Sequence, residues 1–468
     1  MRFAWARSTS PGGRFDSRPI SLFVIVALLI GTAAALLNPA FGGYDESDHF
    51  LRAWQISDGD FVSRVGAGTH GESTHGGLMP AHLLTDIFVL KAAGESSSGK
   101  AARAFKYLGS DAPAGHRVFI QFPATASYSP MTYLGAAAGI RASRWLHLST
   151  LATLWVARLF GLALYVAIAA RALHHMRRRR WLLASLAIAP VTVLQASTIS
   201  ADGITLALSL LAIAYTLRIV TLDATEALPR NLAAEGFVIA IALGLAKPPY
   251  ILFLLLLALV LLRRGAQRRR RVWAGLVMGP GFVASAVWNL YAQGVYTAPE
   301  RIRNVDSGRQ LRFIASHPLR FAQAIGSTIT GDGLRISHEM LLSTSSWMPP
   351  SAFVAVMTGA LVIALIVGIG RPTGHDHESD TALGLTMAVI ALGTAFLVVV
   401  LAYAGWNPVG ASRVNELQGR YLYPSLALIV LALGLRAKRA LVNDFLPFGV
   451  VASVSLFTVA GLVIHFYV

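Results

Sequence analysis

Long apolar stretches separated by short polar linkers organise this chain from end to end. The first runs from Ile20 to about Leu37. Others follow at 150–173, 181–198, 201–219, 233–247, 248–262, 272–292, 351–369, 383–404, 420–436 and 445–467. Most reach the roughly 17–25 residues that an α-helix needs to cross a bilayer. The pattern predicts an all-α integral membrane protein with about 11 transmembrane helices, forming a single polytopic domain over residues 1–468. Two of the stretches, 233–247 and 248–262, are short and meet at Lys247-Pro248-Pro249. Proline removes the donor a helix needs there, which predicts a turn or broken helix.

Two longer hydrophilic stretches interrupt the pattern, at 39–149 and 293–350. In the second, Leu311, Ile314, Phe321 and Ile325 form an apolar stripe flanked by Arg309, Arg312 and Arg320, with Pro318 between. This predicts two short helices lying in the membrane interface, the second opened by Pro318.

Composition sharpens the class. Hydrophobic residues are 55% of the chain and charged residues 13%, against about half and a quarter in soluble domains. The formal charge is +17, but the basic residues fall in blocks between apolar runs. The main blocks are Arg177 to Arg180, Arg263 to Arg271, and Arg436, Lys438 and Arg439. Without aromatic stacking platforms beside them, such blocks exclude nucleic acid as partner and read as loops facing anionic lipid on the inner side. With the N-terminus inside, retained by its first apolar run, all three blocks face inward, as the positive-inside rule requires. If Ser129–Ile140 also crossed, Arg177–Arg180 would face outward, so that segment is expected along or partly into the outer surface. The chain has no cysteine, which excludes disulfides, thiolate zinc sites and thiol catalysis.

With this topology the two long loops and the turns near 198–201, Lys247 and 405–419 share the outer face, where the chemically capable side chains gather. The first loop opens with Tyr44-Asp45-Glu46-Ser47-Asp48-His49-Phe50-Leu51-Arg52-Ala53-Trp54, dense in acids for so acid-poor a chain. Ser47 or Asp48 can cap a short helix here, with Phe50 and Trp54 on one face and Asp48 paired to Arg52 on another. The last outer turn carries Arg413 and then Gln418-Gly419-Arg420-Tyr421. A guanidinium at that boundary suits a phosphate or a headgroup equally. His70, His75 and His82, with Glu72 among glycines, read as loop and not as a metal site. His174-His175 reads as solvated.

These pieces together resemble the DUF2142 family of bacterial polytopic membrane proteins. The resemblance rests on Asp45-Glu46 with His49 to Ile56, on Ser200-Ala201-Asp202, on Leu245-Ala246-Lys247, and on Gln418 to Tyr421 with Pro424. Tyr128 to Leu134 and Ala157 to Gly161 look like stretches of the GT-C class of membrane glycosyltransferases. The resemblance implies a GT-C-like enzyme of the bacterial cytoplasmic membrane. It would move a sugar from a polyprenyl-phosphate donor to an envelope glycan or lipid-linked acceptor outside the cytoplasm. Asp45, with Glu46 as alternative, would be the catalytic base. Asp48, His49, Arg52, Asp202, Lys247, Arg413, Arg420 and Tyr421 would contact substrate. Asp45, Glu46 and His49 are also the candidate ligands for a divalent cation. A transporter or flippase for lipid-linked saccharide, or a non-catalytic scaffold in envelope assembly, is the competing class. Broken helices and charges near the bilayer midplane, often with internal repeats, would mark a transporter.

Overall fold

The computed structural model describes residues 16–68, 73–94, 101–109, 116–222, 228–262, 267–295, 305–342, 351–372, 378–439 and 445–468. Among the described residues seven helices are long and apolar enough to cross a membrane. They are α1 (Arg18–Leu37), α5 (Thr150–His175), α8 (Ala201–Thr221), α11 (Arg268–Val295), α14 (Ser351–Ile369), α15 (Glu378–Trp406, apolar from Ala382) and α17 (Phe445–Tyr467). The protein is an all-α membrane protein, as the hydropathy pattern predicts. The other expected crossings fall on shorter or broken pieces. These are α6 (Arg180–Ile188) with α7 (Pro190–Ala196), α9 (Arg230–Leu245), a 3₁₀ segment (Pro248–Leu257) with α10 (Ala258–Leu262), and α16 (Tyr423–Arg436).

Each break has a local cause. Pro190 interrupts the ladder between α6 and α7; the Leu186 carbonyl, which loses its helical donor there, accepts from the Tyr423 hydroxyl at 2.7 Å, and Thr192 donates its hydroxyl to the carbonyls of Ala187 and Ala189. The 3₁₀ segment begins at Pro248-Pro249 and runs for 10 residues, longer than such helices usually persist. Its extra rise has a use. At about 2.0 Å per residue, followed by five α-helical residues at about 1.5 Å, the stretch spans about 27 Å instead of about 22 Å. That brings a 15-residue run close to the roughly 30 Å of hydrocarbon it has to match.

α8 is the axis of the bundle. It is buried along almost its whole length and packs against α5, α9, α16 and the 3₁₀ segment. All the polar starts of helices that matter below lie at one end of the bundle, beside the first residue of α8. Arg179 and Arg270, from two of the basic blocks, lie at the other, bonded to the carbonyls of Gly434 and Ile219 near the far end of α8.

The site end carries a small lobe. It contains α2 (Glu46–Ser57), α3 (His82–Gly94) and α4 (Leu134–Trp145), with a three-stranded antiparallel sheet, β1 (Arg64–Ala67), β2 (Ser73–Pro80) and β3 (Arg117–Gln121). The sheet corrects the expectation of loop around the histidines. His75 lies on β2, paired opposite Val65, while His70 and Glu72 lie outside the described residues. Its glycines mark strand approach, not flexibility, since a Cβ on Gly76 would strike the Ile120 backbone. α4 runs back along the outer half of α5, with Gly135 and Gly139 against the α5 backbone at Phe160 and Ala157. α12 (Ser307–Ser316) and α13 (Pro318–Leu342) complete this end. Gln310 ties α12 to the end of α15 through the Tyr403 carbonyl at 3.3 Å and the Gly410 amide at 2.8 Å.

Candidate active site

α2 starts two or three residues earlier than a Ser47 or Asp48 cap would place it. Asp45 stands at the N-cap in left-handed conformation (φ 48°), with no side-chain cap bond, and its carboxylate is exposed. Phe50 and Trp54 do share a face, their rings 5.7 Å apart. Arg52 does not pair with Asp48. It is fully buried and donates to the carbonyls of Phe61 and Tyr128 and to Gln55 Oε1, holding the lobe together.

Glu46 turns the opposite way from Asp45. It is 1% exposed and meets Arg158 of α5, itself 0% exposed. Arg158 Nε donates to Glu46 Oε1 at 2.8 Å, and Nη2 to Oε2 at 2.6 Å. The amides of Ile199 (2.9 Å) and Gly43 (3.0 Å) donate to the same two oxygens. Arg158 spends its remaining donors on the carbonyls of Ala35, Asn38 and Pro39. α1, α2, α5 and the start of α8 thus meet in one satisfied ionic clamp, which also determines where Asp45 stands. A lone arginine inside an apolar run is the signal that could have found this clamp.

A second ionic group lies at the first turn of α8. Ser200 caps that helix, accepting from the amides of Asp202 (3.2 Å) and Gly203 (3.5 Å). Asp202 is therefore free to bridge two cations. Its Oδ2 accepts from Arg420 Nε at 2.7 Å, and its Oδ1 pairs with Lys247 Nζ. Lys247 comes from the break before the 3₁₀ segment. Arg420 comes from a 3₁₀ turn, Gly419–Leu422, that leads into α16. That turn sits directly on α13, because a Cβ on Gly419 would collide with the Ile336 carbonyl, and the Gly419 amide donates to Glu339 at 2.9 Å.

Aromatic rings wall the triad. The Arg420 guanidinium lies 3.8 Å over the Tyr44 ring and 5.0 Å from that of Tyr421. Lys247 Nζ lies 4.1 Å from the Tyr421 ring and 5.4 Å from that of Tyr128. Tyr250 fixes the turn from below, donating to the Tyr421 carbonyl at 2.8 Å. His49 closes the other side, stacked on Tyr128, with Nδ1 2.6 Å from the Tyr133 hydroxyl. Burial pushes His49 down to about 3, with Asp202 acting against it and Lys247 and Arg420 adding to it, so it is neutral. Two lysine- or arginine-borne charges share one carboxylate. Arg420, only 5% exposed, still has Nη1 without an acceptor. A buried donor left this way on a net-positive group is poised for an anion.

Seven of the ten residues singled out from the sequence meet here or border it: Asp45, Asp48, His49, Asp202, Lys247, Arg420 and Tyr421. Three do not. Glu46 and Arg52 are held in the contacts above, and Arg413 is exposed, beside Gly331 of α13. The trio Asp45, Glu46 and His49 is not assembled as a metal site, because Arg158 and two amides take both oxygens of Glu46. Among the described residues no group of three histidines or carboxylates is placed to hold a metal ion. The tyrosines around the triad, Tyr44, Tyr128, Tyr133 and Tyr250, were not foreseen as site residues.

Residues 28–429 match the family model described as a predicted membrane protein (DUF2142). The chain belongs to this family. No curated protein and no solved structure matches it.

Asp48 supplies a pH signature for this DUF2142 member. Burial, and then the charge of Asp45, raise its carboxyl from 3.8 to about 6, with Lys91 acting against them. An acid that holds its proton more tightly folded than unfolded costs stability once that proton is lost. Folded stability from this group therefore declines as pH rises from about 4 to about 6. Asp45→Asn removes one raising charge, so the decline should move to lower pH in melting curves taken between pH 4 and 7. An unchanged profile would rule out the coupling.

Proposed function

We propose that this protein is a GT-C-like glycosyltransferase of the bacterial cytoplasmic membrane, with the basic blocks and N-terminus inside and the site outside. The donor is a polyprenyl-phosphate-linked sugar, and the acceptor an envelope glycan or lipid-linked glycan. The observation that carries this reading is the net-positive Asp202–Lys247–Arg420 group, with its open Arg420 Nη1, one residue along from an exposed acid through Tyr44. Transfer requires a base on the acceptor and positive charge on the departing phosphate. In this reading the Asp45 carboxylate takes the proton of the acceptor hydroxyl as its oxygen bonds to the anomeric carbon. The bond from that carbon to the phosphate oxygen breaks, and its electron pair leaves on the prenyl phosphate. Arg420 and Lys247 receive that charge, while Asp202 keeps both cations ionised and in place. Asp48, His49 and Tyr421 shape the pocket between base and cations.

The test is complementation of a deletion strain with wild type or Asp45→Asn, scoring glycan composition, lipid-linked sugars and protein abundance. The expected outcome is a glycan lacking one sugar, its prenyl-linked donor accumulating outside, and normal protein levels. Donor held on the inner leaflet instead would identify a flippase. Normal glycan from Asp45→Asn would overturn the catalytic assignment and favour the scaffold.

A further inference from the structure

The end of the bundle away from the site holds an ionic group that transfer chemistry does not use. His174-His175 is not simply solvated. His174 is exposed, but His175 is fully buried beneath Glu235 of α9. Glu235 accepts from Arg171 of α5 through Nε at 2.7 Å and Nη2 at 2.6 Å, and from His175 Nε2 at 2.8 Å. Arg218, one turn before the end of α8, approaches the remaining His175 nitrogen, Nδ1, at 3.2 Å. Arginine only donates, so Nδ1 accepts and Nε2 carries the proton, which leaves the imidazole neutral. Glu235 is then fully committed and cancels a single charge, that of Arg171.

Two guanidiniums remain. Arg218 and Arg177 have no ion pair among the described residues, and Arg218 Nε has no acceptor at all. Both Arg171 and Arg177 stand close enough to Arg218 to repel it. Among the described residues these three arginines share one carboxylate at a membrane edge, a standing electrostatic cost unless an anion joins them. Below them the outward faces of the same helices are apolar. Phe160, Ala163 and Ala167 descend α5 from Arg171, and Val238 and Ile241, 67% and 41% exposed, descend α9 from Glu235. A headgroup phosphate at the arginines would therefore have its acyl chains against hydrocarbon-facing side chains.

We propose that Arg171, Arg177 and Arg218 form a binding site for the headgroup of an anionic phospholipid, seated over the seam of α5, α8 and α9. The site is independent of the catalytic reading. The full-length protein is reconstituted in nanodiscs of phosphatidylcholine with or without phosphatidylglycerol, and melting temperature and lipids retained in native mass spectra are recorded. The wild type is expected to melt higher with phosphatidylglycerol and to retain it selectively. Arg177→Gln with Arg218→Gln should retain several-fold less and lose most of the gain. Arg268→Gln with Arg269→Gln, an equal charge loss on exposed arginines of α11, should keep both. Arg177→Gln alone, at an exposed position that bonds nothing described, gives an intermediate loss and serves if the double variant does not fold. Equal losses in both double variants would reduce the effect to diffuse surface charge and overturn the site. So would no response in the wild type. The same stabilisation by inorganic phosphate in phosphatidylcholine discs would overturn the lipid assignment in favour of a soluble anion.

Discussion

Arg158→Met will leave almost no folded protein in the membrane, although it touches nothing that reacts. The substitution strands Glu46 as an unpaired carboxylate at a site with no solvent, and three carbonyls of the α1–α2 connection lose their donor. Breaking a buried ion pair by removing one partner costs about 3–5 kcal/mol. Total stabilities are commonly about 5–15 kcal/mol, so the loss takes a large share. The check is membrane abundance together with a melting curve in detergent. Asp45→Asn, one position from Glu46 but exposed, should accumulate like wild type and show none of this loss in melting temperature. Replacing both partners, Glu46→Leu with Arg158→Met, should recover part of the loss, because no charge is then left unpaired. Wild-type accumulation of Arg158→Met would show that the clamp does not hold the α1–α2 corner.

Arg420→Lys will keep the protein and remove the transfer activity proposed above. The charge is retained, so Asp202 still has two cations near it and folding is largely preserved. What is lost is the planar fork: the Nε bond to Asp202 at 2.7 Å, the face on Tyr44 at 3.8 Å, and the open Nη1. Lysine cannot reproduce these at once. Loss of one preorganised donor to a developing negative charge costs about 10²–10³ in rate. Transfer in vesicles holding the purified protein and a prenyl-phosphate sugar should fall by about that factor. A rate near wild type, with normal abundance, would remove Arg420 from the phosphate site.

The candidate site was legible where charge is rare. Asp45, Lys247 and Arg420 stand out because an apolar chain has few places for an ion, and each sits where a crossing begins or breaks. The pairings were not legible. Glu46 and Arg158 are 112 positions apart, and Asp202 and Arg420 are 218 apart. Nothing local says which acid answers which base. Adjacent Asp45 and Glu46 read as first choice and alternative for one role, yet the left-handed residue that starts α2 points one outward and the other into the bundle. The sheet was hidden because its glycines imitate loop, and the buried His175 because the charged residues near it in sequence are all basic.

By itself, then, the sequence determined the solvent of this protein, its helical class and the end of the bundle where chemistry gathers. Those follow from the transfer energy of apolar runs and from where lysine and arginine are tolerated, and both are local properties. The tertiary structure alone decided which charges neutralise each other, which donor is left open and which acid is exposed. Burial strengthens an ion pair and penalises an unpaired charge only after helices distant in sequence have packed.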